Sequence, residues 1–236
     1  MNTKGNLYLI PVPISNDDLG HHIPEYNKIV VHGLIHFVAE NEKPARKFLK
    51  QFGYPNIQQA QIKTLNEHTN PQEIKHLLEP VLHGQNVALM SDAGCPAIAD
   101  PGSELVKLAH QNGIRVIPLS GPSSILQAIM GSGFGGQNFS FVGYLPVDKN
   151  ERVSRIKQLE QIAIKQKQSQ FFIETPYRNI QLFEALINTL QPNTLLFVGK
   201  QLTSPGQLLI TRQISEWKKI TPPDLNKVPV VFGIYT

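Results

Sequence analysis

The first half of the chain alternates short β-rich apolar runs with helical patterns, and that alternation admits few folds. NLYLIPV (6–12), KIVVHGLIHFVAE (28–40), NVALM (86–90) and RVIPL (115–119) read as strands. KPARKFLKQFG (43–53), QEIKHLLEPVLHG (72–84) and GSELVKLAHQNG (102–113) read as helices between them. Gly84 and Gly113 each close a helical pattern just before a strand, where a helix needs a residue tolerant of left-handed backbone. Such a chain builds an open, largely parallel sheet with helices on its faces. After Gly121 the pattern changes. SSILQAIMG, ERVSRIKQLEQIAIKQKQ and YRNIQLFEALINTL read as helices, while NFSFVGYLP, SQFFIET, TLLFVGKQL, GQLLITRQI and VPVVFGIYT read as closely spaced strands. Closely spaced strands suggest a mixed or antiparallel sheet. The expectation is therefore two α/β domains, 1–119 with a mostly parallel sheet and 120–236 with a mixed one.

At 236 residues, 41% apolar and 17% charged, the chain has the composition of a globular protein with a sizeable core. No run approaches the roughly 18 apolar residues that span a bilayer, so no membrane partner is expected. The opening stretch MNTKGNLYLIPVPISNDD has too short an apolar segment for a secretory signal. One cysteine cannot form an internal disulfide, which fits a cytoplasmic location. The net charge of +4 is mild, but cations gather at Lys43, Arg46, Lys47 and Lys50 and again from Lys149 to Lys167. Nucleic acid is thus a permitted partner.

Three first-domain strands run into unusual loops: Pro11-Val12-Pro13-Ile14-Ser15, Ser91-Asp92-Ala93-Gly94-Cys95-Pro96, and Ser120-Gly121-Pro122-Ser123-Ser124. In open α/β sheets ligands bind beyond the carboxyl ends of strands. Any one of these loops could be an ordinary turn with a capping serine. Three together favour a site. Gly131-Ser-Gly-Phe-Gly-Gly136 matches G-x-G-x-x-G but follows a helix and precedes a strand, the reverse of the dinucleotide order. His32 and His36 are four apart, yet Val30, Val31 and Gly33 read as strand and no carboxylate ligand stands near, so no metal site is expected. Cys95 has no evident histidine partner, which makes it a poor nucleophile candidate. Further polar clusters follow strands at 39–43, at Asn66-Glu67-His68 and at Glu174-Thr-Pro-Tyr177-Arg178.

The residues resemble the SAM-dependent tetrapyrrole (corrin/porphyrin) methylase superfamily, and within it the small-subunit ribosomal RNA ribose 2′-O-methyltransferase I branch. The resemblance runs from Leu7 to about Trp217. It is carried by SDAGCPAIADPG (91–102), IRVIPLSGPSSILQAIMGSGF (114–134), FVGYLP (141–146), ETPYR (174–178) and LNEH (65–68). It implies two α/β domains with SAM in a cleft between them, in a homodimer. Pro11, Val12 and Pro13 would line SAM from one side, Asp92, Ala93, Gly94, Cys95 and Pro96 from another, and Ser123 and Ser124 would meet it through backbone and hydroxyl. That branch usually reads A-E-D-T-R at 39–43, threonine at Cys95, and histidine at Asn66 and Tyr177.

The resemblance implies methyl transfer to a ribose hydroxyl of the small ribosomal subunit, with Glu67 or His68 as the base. The cations Lys43, Arg46 and Lys47 lie on one helical face and would contact RNA, as would Tyr177 and Arg178. The drifted acceptor-side motifs leave two alternatives open: a methylase of a tetrapyrrole or other small molecule, and a catalytically silent SAM-binding relative.

Overall fold

The computed structural model describes residues 4–15 and 22–236, so the opening stretch read for a secretory signal lies partly outside it. The chain divides into two compact units, Met1–Ser123 and Ser124–Thr236.

In the first unit β1 (Asn6–Ile10), β2 (His36–Ala39), β3 (Gln61–Thr64), β4 (Val87–Met90) and β5 (Arg115–Pro118) form one sheet in the order β3-β2-β4-β1-β5. Every pairing in it is parallel. Residues of β4 are buried throughout, as befits a strand covered on both faces. Side chains alternate between two cores. Ala88 and Met90 pack with Ile10, Phe37 and the helices α1 (Glu25–His32) and α2 (Glu42–Gln51). Val87 and Leu89 pack with Leu7, Val38 and α5 (Gly102–Gln111), together with the helical turns between β3 and β4. Those turns are α3 (Pro71–Ile74), a 3₁₀ turn (Lys75–Leu78) and α4 (Glu79–Leu82).

This placement follows from the strand order. The connections after β1 and β2 both move toward β3, whereas those after β3 and β4 move the other way. Right-handed crossovers put opposite directions on opposite faces. The chain leaving β4 therefore departs to the face opposite that taken by the chains leaving its two neighbours, which opens a crevice at their carboxyl ends.

Two sequence expectations are corrected here. Residues 28–32 lie in α1 rather than in a strand. The run Ile29-Val30-Val31 favours strand by propensity, but burial of Val31 on the apolar side and of Asn27, whose side chain donates to the Ser120 carbonyl at 2.8 Å, outweighs it. Gly33 then stops the helix. The strand β3 was not expected at all, because Gln61, Lys63 and Thr64 are exposed at a sheet edge and leave no apolar alternation.

The second unit contains α6 (Ser124–Ser132), β6 (Phe139–Tyr144), α7 (Lys149–Gln166), β7 (Ser169–Ile173), α8 (Asn179–Thr189), β8 (Leu195–Lys200), β9 (Leu208–Gln213), α9 (Ile214–Trp217) and β10 (Val230–Tyr235). Its sheet runs β6-β7-β10-β8-β9. The β6–β7 pair is parallel and the others antiparallel, so the sheet is mixed. One face packs Phe172, Phe232, Leu196 and Val198 against Ile156, Leu182 and Trp217. On the other, Phe134, Phe171, Phe197 and Tyr235 form an aromatic group. Gly131 lies in α6, and Gly133, Gly135 and Gly136, all at positive φ, make the turn between α6 and β6.

Candidate functional site

Three of the strand-end loops meet in the first unit because β4, β1 and β5 are neighbours. Val12 and Gly94 exchange both backbone hydrogen bonds, at 2.9 and 3.1 Å, forming an isolated bridge just past the sheet. The Cys95 Sγ lies 3.4 Å from the Pro122 carbonyl oxygen, which joins the second loop to the third. Gly121 closes the ring: a Cβ there would stand 2.3 Å from Pro11 Cβ. Gly94 has φ +75°, and a Cβ on it would come within 3.2 Å of Ile14 Cγ2. Both positions therefore need glycine, one for close approach and one for backbone conformation.

The second loop is also braced from beyond Cys95. The Asp100 carboxylate accepts from the Ala97 N–H at 2.9 Å and the Gly102 N–H at 2.8 Å. Between those anchors Ala97 and Ala99 sit at φ 65° and 59°, a left-handed conformation that costs a residue with a Cβ about 1–2 kcal/mol. Strain of this kind persists only where surrounding bonds enforce it. Burial pushes the Asp100 carboxyl above its usual range, against the pull of the two backbone donors.

From the other side, the corner after β2 grips Asp92. Glu40 Oε1 accepts from the Asp92 N–H at 3.1 Å, and Asn41 Nδ2 donates to Asp92 Oδ2 at 2.6 Å. Asn41 occupies the N-cap of α2 but makes no side-chain cap bond, because its amide is turned to Asp92. Desolvation raises the Glu40 pKa, partly offset by the Asp92 N–H, while the charges of Asp100 and Asp92 raise it further. In the sequence Glu40, Asn41 and Asp100 stand out only as parts of polar stretches. The signal for Asp100 is the Asp-Pro-Gly turn ahead of a helix, where an aspartate accepts from the amide two residues on.

A cavity of about 190 Å³ opens here, bounded by Val12, Pro13, Ser91–Ala93 and by Lys47 and Phe48 of α2. Of the expected cofactor residues, Pro11, Val12, Gly94, Pro96 and Ser123 are buried, and Pro13 and Cys95 are partly so. Asp92 and Ala93 are exposed at the rim. Ser124 begins α6. Burial also raises the Cys95 thiol pKa, so the group is a neutral thiol at pH 7 and a poor nucleophile.

The remaining predicted residues lie elsewhere. Glu67 and His68 sit in the turn after β3, held by Asn66 and Thr69, with side chains 85% and 84% exposed. The strand β2 stands between that edge and the β4–β1 crevice. Lys43 and Lys50 are exposed on α2. Arg46 is tied down, its Nε to Glu42 at 2.7 Å and its Nη1 to the Ile57 carbonyl at 3.1 Å. In the second unit Tyr177 is 74% exposed, and Arg178 grips the buried Glu174 carboxylate through Nε and Nη2 at 3.0 and 2.6 Å. His32 Nε2 lies 3.2 Å from the Phe52 carbonyl, in α1 rather than in the expected strand. Among the described residues no group of three or more His, Cys, Asp or Glu could hold a metal ion, and no helix is long and apolar enough to cross a membrane.

Over 210 residues the chain is 30% identical to the ribosomal RNA small subunit methyltransferase I of Vibrio cholerae, spanning 89% of this chain and 69% of that protein. It belongs to the ribosomal RNA small subunit methyltransferase I family. The enzyme of the same name from Escherichia coli O157:H7 is 29% identical over 227 residues, or 96% of this chain and 75% of that protein. No family model matches the chain. Solved structures share the fold at lower identity. The methyltransferase CobJ has a TM-score of 0.65 at 15% identity, covering 98% of this chain and 94% of its own. A uroporphyrin-III C-methyltransferase from Thermus thermophilus, complexed with S-adenosylhomocysteine, has a TM-score of 0.53 at 14% identity, covering 98% and 97%. Family membership therefore rests on sequence, and the shared two-sheet architecture on structure.

Proposed function

We propose that this chain is a SAM-dependent methyltransferase that acts on a ribose 2′-hydroxyl of small-subunit ribosomal RNA. The observation that carries this reading is the sequence match to small subunit methyltransferases over most of both chains, at 30% identity. The local geometry supports the cofactor assignment. Two positions where a Cβ would collide or strain lie on one wall with a reciprocal backbone bridge, so the loops that bound the cavity pack against one another as a unit. Asp92 presents a carboxylate at the rim, suited to hydroxyl or ammonium donors of SAM.

SAM, when bound, supplies a methyl group on a sulfonium and leaves as the neutral thioether. The chain's own residues have simpler duties. Pro11–Pro13, Asp92–Pro96 and Ser123–Ser124 would hold and orient the cofactor, and fixing it relative to the acceptor would lower the entropic barrier. The hydroxyl proton must pass to a base as the new O–C bond forms; Glu67 or His68 would fill that role if RNA binding carries their exposed turn past β2 to the crevice. Exposed Lys43 and Lys50, with Lys47 at the cavity wall, would meet the phosphate backbone. A cytoplasmic location and a homodimer belong to the same reading, and the latter is checked by light scattering.

Radiolabelled SAM offered with small ribosomal subunits is the direct experiment. Label should appear in RNA as an alkali-resistant 2′-O-methylated dinucleotide. Label on a tetrapyrrole instead, or SAM binding without transfer to any ribosomal particle, would overturn the reading.

A further inference from the structure

We infer that Tyr144 and Tyr177 form a base-stacking platform for an unpaired stretch of RNA, with the cation Lys227 beside it. The inference rests on the RNA reading above and narrows it to the single-stranded class of substrate. Strands β6 and β7 run parallel, and Tyr144, the last residue of β6, is the Cα partner of Ile173, the last residue of β7. Both strands therefore end at one edge of the unit. Tyr144 is 58% exposed there, and Tyr177, four residues beyond Ile173, is 74% exposed.

The turn that carries Tyr177 is fixed at several points. The buried Glu174 carboxylate takes two donors from Arg178 and the Thr175 N–H at 2.7 Å. The Arg178 N–H bonds the Thr175 carbonyl, and the Pro176 carbonyl accepts from the Lys227 N–H at 3.1 Å. Five residues are thus ordered around a ring left in water. Packing cannot account for that, since burial of a tyrosine is favourable and this one is displayed.

The surroundings suit a nucleic acid. The negative charge of Glu174 is matched by Arg178, whose side chain is 30% exposed, and the Lys227 side chain is exposed beside the turn. An aromatic ring next to cations binds bases by their faces and phosphates by charge, with little regard for sequence. The bases of a duplex hide their faces, so the platform selects segments that are unstacked or can be splayed out.

The test uses the full chain and an oligoribonucleotide carrying 2-aminopurine, alone and annealed to its complement. Wild type should prefer the single strand and quench the probe. Tyr177→Ala and Tyr144→Ala should each weaken single-strand binding roughly 5- to 150-fold, with the salt slope and SAM affinity unchanged. Tyr177→Phe should retain binding, because the ring is kept. Single-strand binding by both alanine variants within twofold of wild type would overturn the platform and leave the RNA reading intact. Failure of wild type to bind any RNA, with SAM still bound, would overturn both.

Discussion

Gly121→Ala tests whether the three strand-end loops act as one wall. A Cβ at position 121 would lie 2.3 Å from Pro11 Cβ and 2.8 Å from Pro11 Cγ. Ordinary carbon–carbon contact is about 3.5–4.0 Å, so more than an ångström must be found. Proline is a closed ring with no rotamer to swing aside. The Val12–Gly94 bridge holds Pro11 from the other side, so the β5 loop must move away from the β1 loop. Overpacking of this size typically costs about 1–3 kcal/mol, and a binding wall displaced by an ångström loses affinity of about the same size. The variant should stay folded, melt a few degrees lower, and bind SAM at least tenfold more weakly by calorimetry. Gly33→Ala is the matched control: its nearest neighbour would be 3.5 Å away and its φ is ordinary, so SAM affinity should not change. If Gly121→Ala binds SAM as tightly as wild type, these loops do not form the cofactor wall.

Glu40→Gln keeps an oxygen for the Asp92 N–H and removes a charge facing Asp92 and Asp100. Because the folded state raises the Glu40 pKa above its ordinary 4.5, its contribution to stability is present below that value and is lost as pH rises through the folded pKa. The variant should therefore gain on wild type as pH rises above about 4.5, and parallel melting-temperature profiles would contradict this assignment. Replacing Lys43 and Lys50 with Ala should flatten the salt dependence of RNA binding by roughly one to two units and leave SAM affinity intact. Arg46→Ala should instead lower stability, since its guanidinium ties α2 to the Ile57 carbonyl, and a pure salt-slope effect without a change in melting would refute that distinction. Cys95→Thr should hold SAM affinity within about tenfold, roughly 1.4 kcal/mol, and the wild-type thiol should alkylate slowly at pH 7. Rapid alkylation would mean the thiol is not sheltered.

Where the sequence was legible, a local rule and the tertiary fold agreed. The strands at NVALM and RVIPL, the glycines at 84 and 113 and the long polar helix α7 all follow from periodicity and turn chemistry. The loops after β1, β4 and β5 were readable as a group because proline, glycine and serine crowded each strand end. Residues 28–32 were misread because three consecutive branched residues favour strand, while Asn27, whose bond to the Ser120 carbonyl settles the matter, has its partner 93 positions away. The brace on Asp92 was hidden for the same reason. Asn41 looks like a cap for α2, and only the strand order β2-β4 reveals that its amide belongs to another loop. The four cations of α2 looked equivalent by helical spacing, but Ile57 on the following loop sets Arg46 apart.

The bridge between Val12 and Gly94 has a kinetic consequence. Each residue's amide hydrogen is held by the other's carbonyl, so neither can exchange with solvent deuterium unless the two loops part. Both amides should therefore exchange together, at a rate set by one opening motion rather than by the accessibility of either residue. They lie outside the regular ladder, one on each loop, and report the parting of the wall separately from melting of the sheet beneath it. A ligand that seats against both loops must slow the two in step, whereas a ligand that touches the rim alone would leave their exchange as it was.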